Sequence, residues 1–340
     1  MKKLEKIMLC LLITLLIYPL YSFQAAANEE NVGYSVRAII PENQINRHNS
    51  YFDLRVKPKQ EQVIQVEIFN SSDKDSVIDV HITNPITNRN GLIDYTDVEA
   101  KPDQSLEVPI TEIASINEGS VGVPAGQSRI VPIQLNIPEA EFEGIILGGI
   151  YFEKRLDEGT KEKANGVQIS NQYSYVIGLK LSEKDTEVEP DLQLKNIKPN
   201  LVNYRTAVIA TIQNKAPVIV ENLAINAVVY NAKGKEESRM DVEGYRMAPN
   251  SSMDFVIDWK NRELDPGTYT VSLHANSGID SWEWKEEFVI PKKEAQVLNE
   301  KAVEIKKDYT LHMVIGFSSI IIILLFVIFW LLRKNKSKTE

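Results

Sequence analysis

Gln62-Val63-Ile64-Gln65-Val66-Glu67-Ile68-Phe69 decides the fold class. Ile64, Val66 and Ile68 fall on one side of an extended chain, Gln65 and Glu67 on the other, the period of two that marks a strand with one buried face. Ile78, Val80 and Ile82 repeat the pattern around Asp79 and His81, and Val131, Ile133, Leu135 and Ile137 repeat it around Pro132, Gln134 and Asn136. Proline inside the last run predicts an edge strand, because it brings no N–H to a ladder. Turn formers separate the runs: Asn70-Ser71-Ser72-Asp73, Asn88-Arg89-Asn90-Gly91 and Pro124-Ala125-Gly126-Gln127.

The same grammar holds further along. Strands are expected over Tyr204–Gln213, Val218–Tyr230, Met253–Asp258, Gly267–Ala275 and Ser281–Ile290, with the turn Asp265-Pro266-Gly267 feeding the fourth. Between the halves lies Ser182-Glu183-Lys184-Asp185-Thr186-Glu187-Val188-Glu189-Pro190, polar, ending in proline, with Val188 its one apolar residue. Short strands spaced by turns, without helical periodicity, predict an all-β chain of two sandwich domains in tandem, 28–182 and 191–291, joined by a linker at 183–190. Residues 292–312 are charged, lack proline and glycine, and place Ala295, Leu298, Ala302 and Ile305 at spacings of three and four, which predicts a helical stalk.

The termini suggest an address. Lys2, Lys3 and Lys6 precede the apolar run Ile7–Ile17, Pro19 breaks it, and Ala25-Ala26-Ala27 is a small-residue cleavage site, so 1–27 reads as a signal peptide. Met313–Leu332 carries no charged side chain, and Arg333, Lys334, Lys336 and Lys338 follow it within 333–340. This is the pattern of a transmembrane helix with a basic cytoplasmic tail, and it predicts a single-pass protein of the cell membrane with an extracellular N-terminal ectodomain. The sole cysteine, Cys10, sits in the signal segment, which leaves no disulfide for the mature chain and favours a Gram-positive surface over an animal secretory setting. Residues 28–332 hold 31 basic against 45 acidic side chains, a balance of −14 that disfavours nucleic acid, anionic lipid and teichoic acids as partners.

Catalytic signatures are missing. The four histidines, His48, His81, His274 and His312, form no metal-binding spacing, and no nucleophile elbow or phosphate loop occurs. Neither a metal nor a cofactor is expected. Gly144, Gly148 and Gly149 are interleaved with aliphatics, which indicates a tightly packed strand. Asp94, Asp97, Glu99 and Asp103 crowd one loop without the order of a calcium loop and read as a solvated acidic loop. Trp282 and Trp284 share a face with Phe288 and Ile290 and read as core. Asn88, Asn90, Asp94 and Tyr95 are the candidate ligand-binding residues, able to stack and hydrogen-bond on a loop, with turn formation as the competing role.

Longer strings carry a family resemblance. PENQ (Pro41–Gln44), YFDLRVKP (Tyr51–Pro58), TNRNGLIDYT (Thr87–Thr96), VPAGQSRIVPIQLNIP (Val123–Pro138) and FEGIILGGIYF (Phe142–Phe152) together resemble the first domain of the WxL-interacting protein family of Gram-positive bacteria. YRMAPNSSMDFVIDW (Tyr245–Trp259), LDPGTYTV (Leu264–Val271) and SWEWKEEFVI (Ser281–Ile290) resemble its second domain. The resemblance implies immunoglobulin-like sandwiches, a first domain that binds peptidoglycan, a second that engages host extracellular matrix protein, and a WxL-domain surface protein as partner. The chain carries no L-P-x-T-G sorting signal, and its one W-x-L string, Trp330-Leu331-Leu332, lies inside the apolar run 313–332 and is not read as a WxL motif, so the chain resembles the partner of the wall-bound protein. A non-catalytic surface protein is the leading expectation. A chaperone-like module pairing β-strands at the Arg129–Ile137 edge, and a membrane-anchored cell-wall hydrolase using two carboxylates, are the alternatives.

Overall fold

The computed structural model describes residues 32–155, 173–305 and 317–327. Among these residues eighteen strands follow one another, interrupted by a single turn of helix, α1 (Ile110–Ile113), and followed by a longer helix, α2 (Lys292–Lys301).

The first sandwich faces two sheets. One has the order β1-β3-β9-β7: Tyr34–Ile39, Glu61–Asn70, Ser128–Asn136 and Ala114–Ile116. The other runs β2-β11-β10-β4-β8: Phe52–Arg55, Ser174–Ser182, Ile146–Lys154, Ser76–Thr83 and Ser120–Val123. The alternation read from sequence sets the register: Ile64 and Val66 face Ile133 and Val131 across the β3–β9 ladder, and with Ile68 they are buried with Ile78, Val80, Ile150 and Phe152. Each such side chain taken from water stabilises the fold by about 1.5–3 kcal/mol.

Pro132 has a divided setting. On one side β9 pairs with β3 along its length, while on the other β7 covers Ile133–Leu135 only. The edge expectation therefore holds from Ser128 to Pro132 and fails beyond, where β9 is an interior strand.

The second sandwich packs β12-β13-β16 (Leu192–Val202, Arg205–Asn214, Ser251–Asp258) against β15-β14-β17-β18 (Glu236–Met247, Val220–Asn231, Gly267–Ser277, Asp280–Ile290). Trp259 is buried at its centre, stands edge-on to Tyr269 with ring centroids 5.7 Å apart, and donates Nε1–H to the Glu263 carbonyl at 3.1 Å. Trp282 and Trp284 pack half-buried against this core. A two-strand hairpin, β5 (Ile86–Thr87) with β6 (Ile93–Asp94), forms a small sheet of its own.

Three expectations about the C-terminal region are corrected or fall elsewhere. Of the helical stalk expected over 292–312, the described part is the helix α2, which docks on the second sandwich and ends at Lys301, while 306–312 lie outside the described residues. Ala295 is buried, Leu298 packs on the core, and the Asn299 side chain accepts the Leu264 N–H at 2.9 Å and donates to the Leu264 carbonyl at 3.1 Å. Ala302 is already extended, and Val303 N–H donates to the Tyr204 carbonyl at 2.8 Å. The transmembrane helix expected over Met313–Leu332 is also overturned, and with it the single-pass membrane placement. Among the described residues no helix is long and apolar enough to cross a membrane. Residues 317–327 of the segment are helical, and 313–316 and 328–332 lie outside the described residues. The signal segment 1–27 and the tail 333–340 lie outside the described residues.

Candidate functional site

The chemistry of this chain concentrates where the two sandwiches meet. Two loops of the first sandwich reach the second: the β5–β6 hairpin with the chain that follows it, and the β9–β10 connection around Gly144.

The hairpin closes one side of the junction. Thr87, buried at its base, joins a ring of hydrogen bonds with the second sandwich: Ala248 N–H donates to Thr87 Oγ1 at 2.9 Å, the Thr87 and Ser251 hydroxyls meet at 2.7 Å, and Ser251 Oγ donates to the Ala248 carbonyl at 2.9 Å. With Ser251 donating to that carbonyl, the shared proton comes from Thr87, so every polar group in the ring is satisfied. At the tip, Gly91 has φ +66° and its carbonyl accepts the Arg246 N–H at 2.7 Å. A β-carbon there would lie 2.0 Å from Tyr245 Cγ, so glycine is required both by the left-handed backbone and by the ring it lies on.

Asp103 adds a third fastening. Its Oδ1 accepts from Gln213 Nε2 at 2.6 Å and its Oδ2 from Ser252 Oγ at 2.5 Å, both on the second sandwich, while the Ser105 N–H at 2.9 Å fixes it from its own loop. Burial pushes this carboxyl up, but the hydrogen bonds from Ser252, Ser105 and Gln213 outweigh it and hold the group below the usual aspartate range.

The four sequence-selected residues all lie on or beside this hairpin. Asn88 Oδ1 accepts the N–H groups of Asn90 at 3.0 Å and Leu92 at 3.2 Å, closing the turn, and the Asn90 side chain stays exposed. Asp94 Oδ1 takes the Thr96 N–H at 2.9 Å and hydroxyl at 2.8 Å. Tyr95 lies on the sheet over Gly149, whose missing β-carbon would stand 2.8 Å from the ring, and burial pushes its phenol up to about 12. The acidic loop is likewise built of local turns: Asp97 accepts the Glu99 N–H at 3.1 Å as Asp94 and Asp103 accept theirs. Among the described residues no group of three His, Cys, Asp or Glu is arranged to hold a metal ion.

Across the junction the surfaces part. Gly144, with φ +67°, brings its backbone against Pro217, where a β-carbon would sit 2.3 Å from the carbonyl oxygen, and Ile145 N–H donates to that carbonyl at 2.8 Å. Beyond this contact opens a cleft of about 550 Å³, walled by residues 105–108 and 138–146 of the first sandwich and by Lys215, Pro217 and Asn250 of the second. None of the four sequence-selected residues lines it. Thr87, Asp103, Gly91 and Gly144 are the junction residues whose partners in the second sandwich local pattern did not reveal. The Asn-Gly turn at 90–91 was the one visible signal, and it announced a turn without announcing what the turn touches.

Two β-sandwiches fastened through a hairpin, with a concave junction on the far side, define a tandem sandwich protein. The chain belongs to the WxL Interacting Protein family: the peptidoglycan binding domain of that family matches residues 34–154, and its host binding domain matches residues 164–300. The strand Ser174–Ser182 falls within the second match yet hydrogen-bonds between β2 and β10 of the first sandwich. No curated protein matches the chain. Solved structures of similar shape include the CsuC–CsuE chaperone-tip adhesion subunit complex from Csu pili of Acinetobacter baumannii (12% identity, 74% of this chain and 97% of that one, TM-score 0.31). The E. coli chaperone DraB (11%, 76% and 98%, 0.29) and the YadV chaperone (10%, 75% and 100%, 0.30) are further examples. At these scores the likeness carries no functional argument.

Proposed function

We propose that this chain is a non-catalytic adapter of the bacterial cell surface: its first sandwich holds peptidoglycan, its second engages a host extracellular matrix protein, and a secreted WxL-domain protein docks on the pair. The observation that carries the reading is the tandem family match, peptidoglycan binding over 34–154 and host binding over 164–300, on two sandwiches that the Thr87, Gly91 and Asp103 contacts tie into one body. A tied pair suits an adapter, because a load on one domain is passed to the other without paying out a flexible joint. The acidic balance of the chain supports recognition of wall material through hydrogen bonds and apolar contact in place of a basic groove.

The experiment is a pull-down with the full chain. It retains purified sacculi and a WxL-domain protein, and labelled peptidoglycan incubated with it releases no soluble fragments. A folded chain that retains neither partner rejects the adapter role, and release of soluble muropeptides replaces it with a hydrolase.

A further inference from the structure

The open side of the junction has the dimensions and chemistry of a ligand site. Its volume of about 550 Å³ lies inside the range of about 300–1,000 Å³ usual for small-ligand clefts. The walls are mainly aliphatic, with Phe142 as their single aromatic ring, and Glu107, Glu141 and Glu143 stand on the first-sandwich side with Lys215 on the other. The backbone of this cleft is already fixed: Ile145 N–H is bonded to the Pro217 carbonyl at 2.8 Å, and Asn250 Nδ2 donates to the Lys215 carbonyl at 2.7 Å.

We infer that this cleft binds the peptide part of peptidoglycan, a short stem peptide with small aliphatic side chains, a free primary amine and a terminal carboxylate. The inference rests on the peptidoglycan reading above and names the portion of the polymer that is gripped. Glu141 is held by Lys184 at 2.6 Å, and the same ammonium attracts Glu143 from further off, so Glu107 first and Glu143 second are the carboxylates offered to an ammonium group. Lys215, loosely paired with Asp191 at 3.8 Å, faces the carboxylate end. Alanine methyls and the methylene stem of a diamino acid match an aliphatic wall, whereas sugar rings are gripped best by flat aromatic faces, of which the cleft has one. Three carboxylates at the mouth also turn away the polyanionic wall polymers that surround the peptide. Both sandwiches contribute walls, so the cleft exists only while the junction is closed.

The test measures binding of the synthetic tetrapeptide L-Ala-γ-D-Glu-L-Lys-D-Ala to the full chain by calorimetry, with its ε-N-acetylated form beside it. The same tetrapeptide is used to displace the chain from sacculi. Acetylation, or the double substitution Glu107→Gln with Glu143→Gln, weakens binding about tenfold or more, as expected for losing a hydrogen bond to a charged group. Both carboxylates are exposed, so the variant keeps its fold, which its thermal transition verifies. Soluble glycan strands freed of their stem peptides by an amidase do not compete with sacculi for the chain. If these peptide-free strands compete and the tetrapeptide displaces nothing, the glycan strand is the ligand and the inference falls while the wall-binding reading stands. If the unaltered chain ignores intact sacculi, the wall-binding reading falls first and the inference with it.

Discussion

The two sides of the domain junction make opposite use of the same device. On the hairpin side a glycine in the left-handed region, Gly91, lets backbone touch Tyr245, and the gap around it is filled by the Thr87–Ser251 ring and by Asp103. On the far side Gly144 lets backbone touch Pro217, and the space beyond is left as a cleft. Close approach by glycine is therefore neutral about function. What decides is whether polar side chains with mutual partners complete the contact or whether carboxylates are left facing an open, aliphatic concavity.

The largest break in this comparison comes from Gly91→Val. A β-branched residue meets the Tyr245 ring and an unfavourable φ together, and the expected loss is about 2–4 kcal/mol, read as a lower unfolding midpoint in denaturant and as new protease sensitivity around residues 86–106. Thr87→Val comes next. It leaves the Ala248 N–H without an acceptor and Ser251 without its donor, at about 1–3 kcal/mol, and a double-mutant cycle with Ser251→Ala returns less than the sum of the single losses.

Acid acts on the same side. The Asp103 carboxyl is held low in the folded chain, so its contribution is complete above the ordinary aspartate pKa of about 3.9 and is lost as pH falls through the lower folded value. Small-angle scattering during an acid titration follows this as a spreading of the two sandwiches in the acid range, and Asp103→Asn removes the pH dependence of that opening. A compact pair at every pH, with the variant indistinguishable from the parent, contradicts the Asp103 fastening. The smallest effect belongs to the open side: Glu107→Gln shifts the thermal midpoint by no more than about 0.5 kcal/mol equivalent, because its side chain is exposed and fastens nothing.

The sandwiches were legible in the sequence because their signal is local. Ile64, Val66 and Ile68, or Tyr269, Val271 and Leu273, announce a buried face through a period of two, and the structure buries all six. Strands such as Glu236–Met247 escaped notice, since an edge strand with charged residues on both faces has no alternation to show. The apolar run at 313–332 carries a strong compositional signal, yet among the described residues no helix is long and apolar enough to cross a membrane. The junction was illegible for a different reason. Thr87 and Ser251 are 164 residues apart, and Asp103 and Ser252 are 149 apart, so nothing in the neighbourhood of either member betrays its partner. Asp103 reads from sequence as one more solvated acid, and Asn88 and Asp94 read as either ligand-binding or turn-forming; in the structure their Oδ1 atoms close turns.

The central claim is that this chain holds cell-wall peptidoglycan. Co-sedimentation of the full chain with purified sacculi tests it most directly: saturable retention, displaced by soluble muropeptide, is the result this account requires. A folded chain that stays in the supernatant at every sacculus concentration contradicts it.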